Sequence, residues 1–328
     1  MSNRPFIRMA LAAGLVALPF CAHAAARDNR HNTDTLALQV ALDRAGFSPG
    51  VIDGTMGGKT RQAIRAFQEA NNLATTGEAD AQTRGALGDE TEATTTVMVT
   101  DADAAGPFVR IPESMTEKAK LDWLGYASVE EALAEKYHTT PKTLRGLNPG
   151  ADFSAGSQIT VPAVRPAELT AASADKWDVT LDRLSVAKAQ PAAAKIVVDK
   201  SDRAVRAYDE SGKLIAQFPA SIGSEHDPLP IGEWKINGVG RLPPFHYNPK
   251  LFWDAEATDK KSTVPPGPNG PVGVTWIDLS KDHYGIHGTP EPEMIGRTQS
   301  HGCIRLTNWD AAKLAQMVRS RTPAILED

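Results

Sequence analysis

At Lys195 the hydrophobic pattern of this 328-residue chain changes period, and that change limits the fold more than any other feature. Upstream, apolar residues recur at helical spacing, first Leu38, Ala41, Leu42 and Ala45, then Ala63, Ile64, Phe67 and Ala70. Downstream, Ile196-Val197-Val198, Ala204–Tyr208 and Lys213–Phe218 are short strand-like runs, with turns at Asp199–Arg203 and Asp209–Gly212. Further strands are expected at Glu233–Ile236 and Val272–Ile277, separated by long loops rich in Pro and Gly. One helix is expected near the end over Ala311, Leu314, Ala315 and Val318, with Asn308 as its cap. The reading is a multidomain α+β chain whose C-terminal part, residues 194–327, is mainly β and sandwich-like.

The upstream part divides by composition. Residues 33–88 read as three short helices: Gly46 stops the first, Thr60 caps the second, and Thr83–Leu87 form the third. Residues 89–109 are rich in Thr, Ala, Asp and Glu and read as a linker with too little apolar surface to bury. In residues 110–165, Val129, Leu133 and Tyr137 share a helical face capped by Ser128. Leu144 and Leu147 suggest a second helix, ended by Asn148-Pro149-Gly150, and Gln158–Pro162 alternates as a strand. Residues 166–193 read as an Ala-rich connector, helical in part.

The N-terminus carries an address. Arg4 and Arg8 precede an apolar run from Met9 to Phe20, and Ala22-His23-Ala24 follows as a small-x-small site. This is the pattern of a secretory signal peptide over residues 1–24, too short to span a bilayer. Bulky Phe20 disfavours lipid attachment at Cys21. Cleavage leaves Cys303 as the one remaining thiol of the two cysteines. A lone thiol cannot form an internal disulfide, and in an oxidising compartment it points to chemistry. No other stretch is apolar enough to cross a membrane, so the expectation is a periplasmic or exported, wall-associated protein. A net charge of −5 gives no electrostatic ground for nucleic acid as a partner.

Tyr284-Gly285-Ile286-His287-Gly288-Thr289 and Ser300-His301-Gly302-Cys303-Ile304-Arg305-Leu306 carry the chemistry. A thiol with a pKa near ~8.5 is little ionised at neutral pH and needs a basic neighbour to become a nucleophile. Histidine is the usual partner, and two are candidates. His301 shares a face with Cys303 if that run is extended; His287 reaches it if the two segments pair as strands. The Gly288 carbonyl or the Ser300 hydroxyl could fix the His287 tautomer. Gly302 allows close approach of substrate and suits an oxyanion hole. A zinc site of His283, His287, His301 and Cys303 is disfavoured, because residues four apart in an extended run stand about 13 Å apart. Neither a metal nor another cofactor is expected.

Together these residues resemble the signature of L,D-transpeptidases of the YkuD type. Ser221-Ile222-Gly223 and Pro228–Trp234 are similar to an upstream segment of that family, with Leu229 where Thr is common. The resemblance implies that Cys303, His287 and Gly288 are catalytic and that Ser300, His301, Gly302 and Arg305 organise substrate. It implies attack of Cys303 on the diaminopimelate carbonyl of a peptidoglycan stem peptide and release of D-Ala. The acyl group then passes to an amine, making a 3–3 cross-link or attaching a wall protein. A hydrolase using the same thioester is the alternative, and an inert wall-binding scaffold is a third reading. In residues 33–88, Leu38-Gln39, Asp53-Gly54, Thr60, Phe67-Gln68 and Gly77 resemble the three-helix peptidoglycan-binding domain. Residues 110–165 resemble a LysM glycan-binding module without its opening strand, against the alternative of a spacer.

Overall fold

The computed structural model describes Met1 and residues 32–88, 92–164, 175–253, 255 and 259–328. The expected signal peptide lies outside the described residues. Residues 32–328 belong to one compact unit.

Three helices open it: α1 (Thr33–Arg44), α2 (Gly58–Ala70) and α3 (Ala81–Leu87). Of the periodic residues, Leu38, Leu42, Ala63, Ile64 and Phe67 form one buried cluster, whereas Ala45, just past the end of α1, is exposed. Gly46 leaves α1 at φ +90°, as its expected role as a stop requires. Thr60 is not a cap. Gly57 precedes α2, and Thr60 is buried inside its first turn, where its hydroxyl takes a 3.1 Å hydrogen bond from Gln39 Nε2.

The stretch expected as a linker carries a strand, β1 (Thr94–Met98). Its β-branched Thr and Val residues suit an extended, half-buried surface. After the short helices α4 (Asp101–Ala104) and α5 (Met115–Lys118) come α6 (Val129–Lys136) and α7 (Pro141–Leu147), then β2 (Gln158–Pro162). β1 pairs antiparallel with β2, and Val99, Ile159 and Val161 share a core with Leu133 and Leu144. A strand from the expected linker therefore pairs with the strand that closes the middle unit. Ser128 caps α6 as expected, accepting from Glu131 N. The 166–193 connector contains α8 (Lys176–Arg183), which buries Trp177 and Leu181.

The C-terminal part contains β3 (Lys195–Asp199), β4 (Ala204–Tyr208), β5 (Leu214–Pro219), β6 (Ser221–Ile222), β7 (Gly232–Arg241), β8 (Phe245–Tyr247) and β9 (Ser262–Val264). It continues with β10 (Thr275–Leu279), β11 (Gly285–His287), β12 (Ile304–Arg305), α9 (Asn308–Met317) and β13 (Pro323–Glu327). Among the described residues the main sheet runs β5-β4-β3-β13-β7-β10-β11-β12-β6. Its two ends, β5 and β6, are separated in the chain by Ala220 alone, so the sheet folds back until its edges meet. β7 is the shared strand: its first half pairs with β13 and its second with β10. Ile196, Val198, Val205 and Phe218 from one half meet Ile277, Ile286 and Ile304 from the other in one core, together with Leu314 of α9. The sandwich-like expectation is met.

The units share interiors. Leu36 and Val40 of α1 lie in the cluster of Leu133 and Leu144. Asp43 of α1 joins His138 Nδ1 at 3.1 Å and Lys313 Nζ of α9 at 2.7 Å. Burial raises the Asp43 pKa, but Lys313 and His138 outweigh it and hold the carboxyl well below the usual carboxylate range. The His138 ring stacks on Trp309 at 5.0 Å.

Candidate active site

The site lies where three short strands meet. β11 pairs in parallel with β12, Ile286 opposite Ile304 and His287 opposite Arg305. Side chains alternate across a sheet, so extending the register by one residue brings Cys303 beside Gly285, on the face that also carries His287 and Arg305. The hydrogen bond from the Gly285 backbone to the thiol agrees with that register. β12 also pairs with β6, Arg305 opposite Ser221. The upstream Ser221-Ile222-Gly223 segment thus forms the outer strand of the site. It also braces the approach to Cys303: Ser221 Oγ accepts from Gly296 N at 2.9 Å, and Gly223 O accepts from Ser300 N at 3.1 Å.

His287 is buried, and its Nδ1 lies 2.7 Å from the Gly288 carbonyl oxygen. A carbonyl only accepts, so Nδ1 carries the proton and Nε2 of the neutral ring is the basic nitrogen. Burial and the nearby Arg305 charge lower the His287 pKa to about 3, against the raising effect of the Gly288 bond. The ring stacks on Trp276 of β10, centroids 5.5 Å apart.

Cys303 is half-buried, with Sγ 3.7 Å from the His283 carbonyl. Burial pushes its pKa up; the Gly285 bond and Arg305 pull it down, and Asp227 pushes it up again. Both directions favour the neutral form, a thiol at Cys303 and an imidazole at His287. Ser300 does not orient His287. Its hydroxyl donates to the Cys303 carbonyl and closes the turn Ser300–Cys303. Gly302 within that turn has φ +92°, and a Cβ there would stand 2.8 Å from the Tyr284 ring. Both the backbone and the packing demand glycine. Arg305 Nη1 approaches the Gln299 carbonyl at 3.4 Å. His301 turns away from β11 into an aromatic group, 5.0 Å from Phe252 and 5.8 Å from Trp253 by ring centroids.

Three residues near the site were not singled out from sequence. Trp276 lies in an expected strand and Asp227 just ahead of Pro228–Trp234, and neither belongs to a motif that marks it for chemistry. Asn308 was read as the cap of α9, but Thr307 takes that role by accepting from Asp310 N, and Asn308 is buried in the first turn.

Residues 193–326 match the model of the L,D-transpeptidase catalytic domain, YkuD, and residues 31–87 match that of a putative peptidoglycan binding domain. A putative L,D-transpeptidase YkuD of Bacillus licheniformis is 30% identical over 195 residues, which cover 58% of this chain and 89% of that protein. A probable L,D-transpeptidase YbiS of Escherichia coli is 28% identical over 127 residues, 38% of this chain and 41% of that protein. Among solved structures, Mycobacterium tuberculosis L,D-transpeptidase 3 is similar at 18% identity and a TM-score of 0.35, covering 42% of this chain and 62% of that one. That score is too low to add weight. Among the described residues no helix is long and apolar enough to cross a membrane. On the strength of the Bacillus licheniformis relative and the two domain matches, the chain belongs to the L,D-transpeptidase family.

Proposed function

We propose that the protein is an exported cysteine acyltransferase that cross-links peptidoglycan stem peptides, with Cys303 as nucleophile and His287 as its base. The observation that carries this reading is the 2.7 Å approach of His287 Nδ1 to the Gly288 carbonyl, which commits Nδ1–H to that acceptor and leaves Nε2 as the basic nitrogen, on a strand paired with the one that Cys303 leads into. Because both groups rest neutral, no ion pair is formed in advance. His287 Nε2 takes the thiol proton as sulfur attacks the diaminopimelate carbonyl, and the C–S bond forms as the C=O π pair moves onto oxygen. The tetrahedral intermediate collapses, the C–N bond to D-Ala breaks, and His287 returns its proton to the leaving amine. An amine of a second stem peptide, or of a wall-attached protein, then attacks the thioester and loses its proton to His287. The Cys303 thiol is restored.

Gly288 is catalytic as the orienting acceptor. Ser300 and Gly302 shape the turn that presents the thiol and backbone N–H groups to the developing oxyanion. Arg305 pairs with a substrate carboxylate, and His301, backed by Phe252 and Trp253, forms part of the peptide wall. Residues 33–88 bind wall material. Residues 110–165, which contain α6, α7 and β2, form a LysM-like glycan-binding module, with β1 of the preceding segment paired to β2. The leader at residues 1–24 delivers the chain to the periplasm or cell surface.

Incubation of the leader-free protein with disaccharide-tetrapeptide, followed by mass analysis, tests the reading. A cross-linked dimer with loss of D-Ala is the expected product, and Cys303→Ala abolishes it. Tripeptide without dimer would turn the reading to hydrolysis, and an unchanged substrate with folded protein would overturn it.

A further inference from the structure

Asn308 is fully buried, and because Thr307 caps α9, its amide is available for other work. Oδ1 accepts from Val274 N at 3.2 Å; Nδ2 donates to the Pro268 carbonyl at 3.0 Å and to Glu135 Oε1 at 2.8 Å. The partners come from two segments: the loop that leads into β10, which supplies Pro268 and Val274, and α6 of the middle unit. The same side chain is the floor beneath Gly288. A Cβ on Gly288 would stand 2.1 Å from Asn308 Oδ1, and one on Gly273 1.9 Å from it. Gly288 in turn offers the carbonyl that holds His287 Nδ1.

We propose that Asn308 is a positioning residue for acyl transfer: it seats the Gly288 peptide so that its carbonyl keeps His287 Nδ1 protonated and Nε2 open to the thiol. The proposal rests on the reading of His287 as the base, and it ties that base to Glu135 of the middle unit. Few side chains suit the position. It must accept from one N–H, donate to two acceptors, and carry no charge in a site closed to water. Aspartate would lose both donors and face Glu135 with a second carboxyl. A leucine would leave the Val274 N–H, the Pro268 carbonyl and Glu135 buried without this partner. A neutral imidazole has two tautomers, and the Gly288 carbonyl selects the useful one only while that peptide stays in place.

The test is nitrogen NMR on histidine-labelled protein, combined with the pH profile of acyl-enzyme formation from disaccharide-tetrapeptide. Wild type is expected to show His287 with Nδ1 protonated and Nε2 unprotonated at neutral pH. In Asn308→Ala this tautomer is lost or mixed, and kcat for acylation falls by about 10- to 100-fold with KM little changed. The acidic limb of the profile also moves to lower pH, because the Gly288 bond that raises the His287 pKa is weakened. Asn308→Ser, which keeps a small polar group at the first helical position, serves if the alanine variant does not fold. A folded variant that retains the tautomer and the acidic limb would overturn the proposal. So would a wild-type ring with its proton on Nε2, or loss of the fold in both variants, which would make Asn308 purely structural. The NMR readout needs no substrate, so a wild-type protein that leaves tetrapeptide untouched defeats the acyl-transfer reading alone.

Discussion

The pairing of a raised thiol with a lowered imidazole follows from burial, which penalises charge on either group. In the proposed mechanism its consequence is that the Cys303 thiol and the His287 imidazole exchange the proton during attack and not before it. Alkylation of Cys303 by iodoacetamide without substrate should therefore be slow at pH 7, and its rate should rise with a midpoint above the ordinary thiol value near ~8.5. A midpoint below 7 would show a preformed ion pair. His287 also links pH to stability. Its folded pKa is about 3, against about 6.5 when unfolded. Between those values only the unfolded chain holds the proton, so stability is full above about pH 6.5 and falls as pH drops through that window. From pH 7.5 to pH 5 the loss from this group is on the order of 2 kcal/mol. Urea unfolding of wild type and His287→Gln checks it: the variant should lack this part of the slope. The imidazolium that forms during attack lies over the Trp276 face, where a cation is attracted by the ring. Trp276→Leu is expected to lower the acylation rate by about 3- to 30-fold, given ~0.5–2 kcal/mol for such contacts, with the protein still folded by circular dichroism.

At the scale of elements, the parallel pair β11–β12 is the device that matters. It brings together two motifs that are separate in the chain and puts His287 and Cys303 on one face. Both motifs were legible from residues and resemblance, and the resemblance is what singles out His287 as the expected base. The orienting group was left open between the Gly288 carbonyl and the Ser300 hydroxyl, because a hydroxyl's direction depends on a turn whose geometry Gly302 sets. β1 was illegible for a different reason. Thr94–Met98 has the β-branched composition of a strand but is flanked by acidic and small residues, and it becomes ordered only by pairing with β2, some 60 residues on. Asn308 was placed by a local rule that Thr307 satisfied one residue earlier. The β1–β2 pair has a measurable cost if undercut. Ile159 is 1% exposed, so Ile159→Ala should destabilise by about 2–5 kcal/mol, read as a lower unfolding midpoint in guanidinium.

For the molecule as a whole, the N-terminal helices, the middle unit and the β part share cores and a buried charge cluster of Asp43, His138 and Lys313. Such interiors couple the parts energetically. Calorimetry of the leader-free protein should show one cooperative transition; two well-separated transitions would show units that fold independently. Removing one charge should be felt throughout. Lys313→Met leaves Asp43 with one fewer partner in a dry site, and breaking a buried pair in this way costs about 3–5 kcal/mol.

The sequence by itself determined the family and the class of fold. The lone thiol, the two histidines, the glycine-flanked motifs and the change from helical to strand period are all local patterns, set by what each residue type can do within a few positions. Tertiary structure decided the rest. It selected Gly288 over Ser300 as the partner of His287, turned His301 towards Phe252 and Trp253, made a strand of an expected linker, and buried Asn308 between Glu135 and the Gly288 peptide. Those outcomes depend on contacts between segments distant in the chain, where the cost of an unpaired buried polar group chooses the partner, and no short window of sequence carries that information.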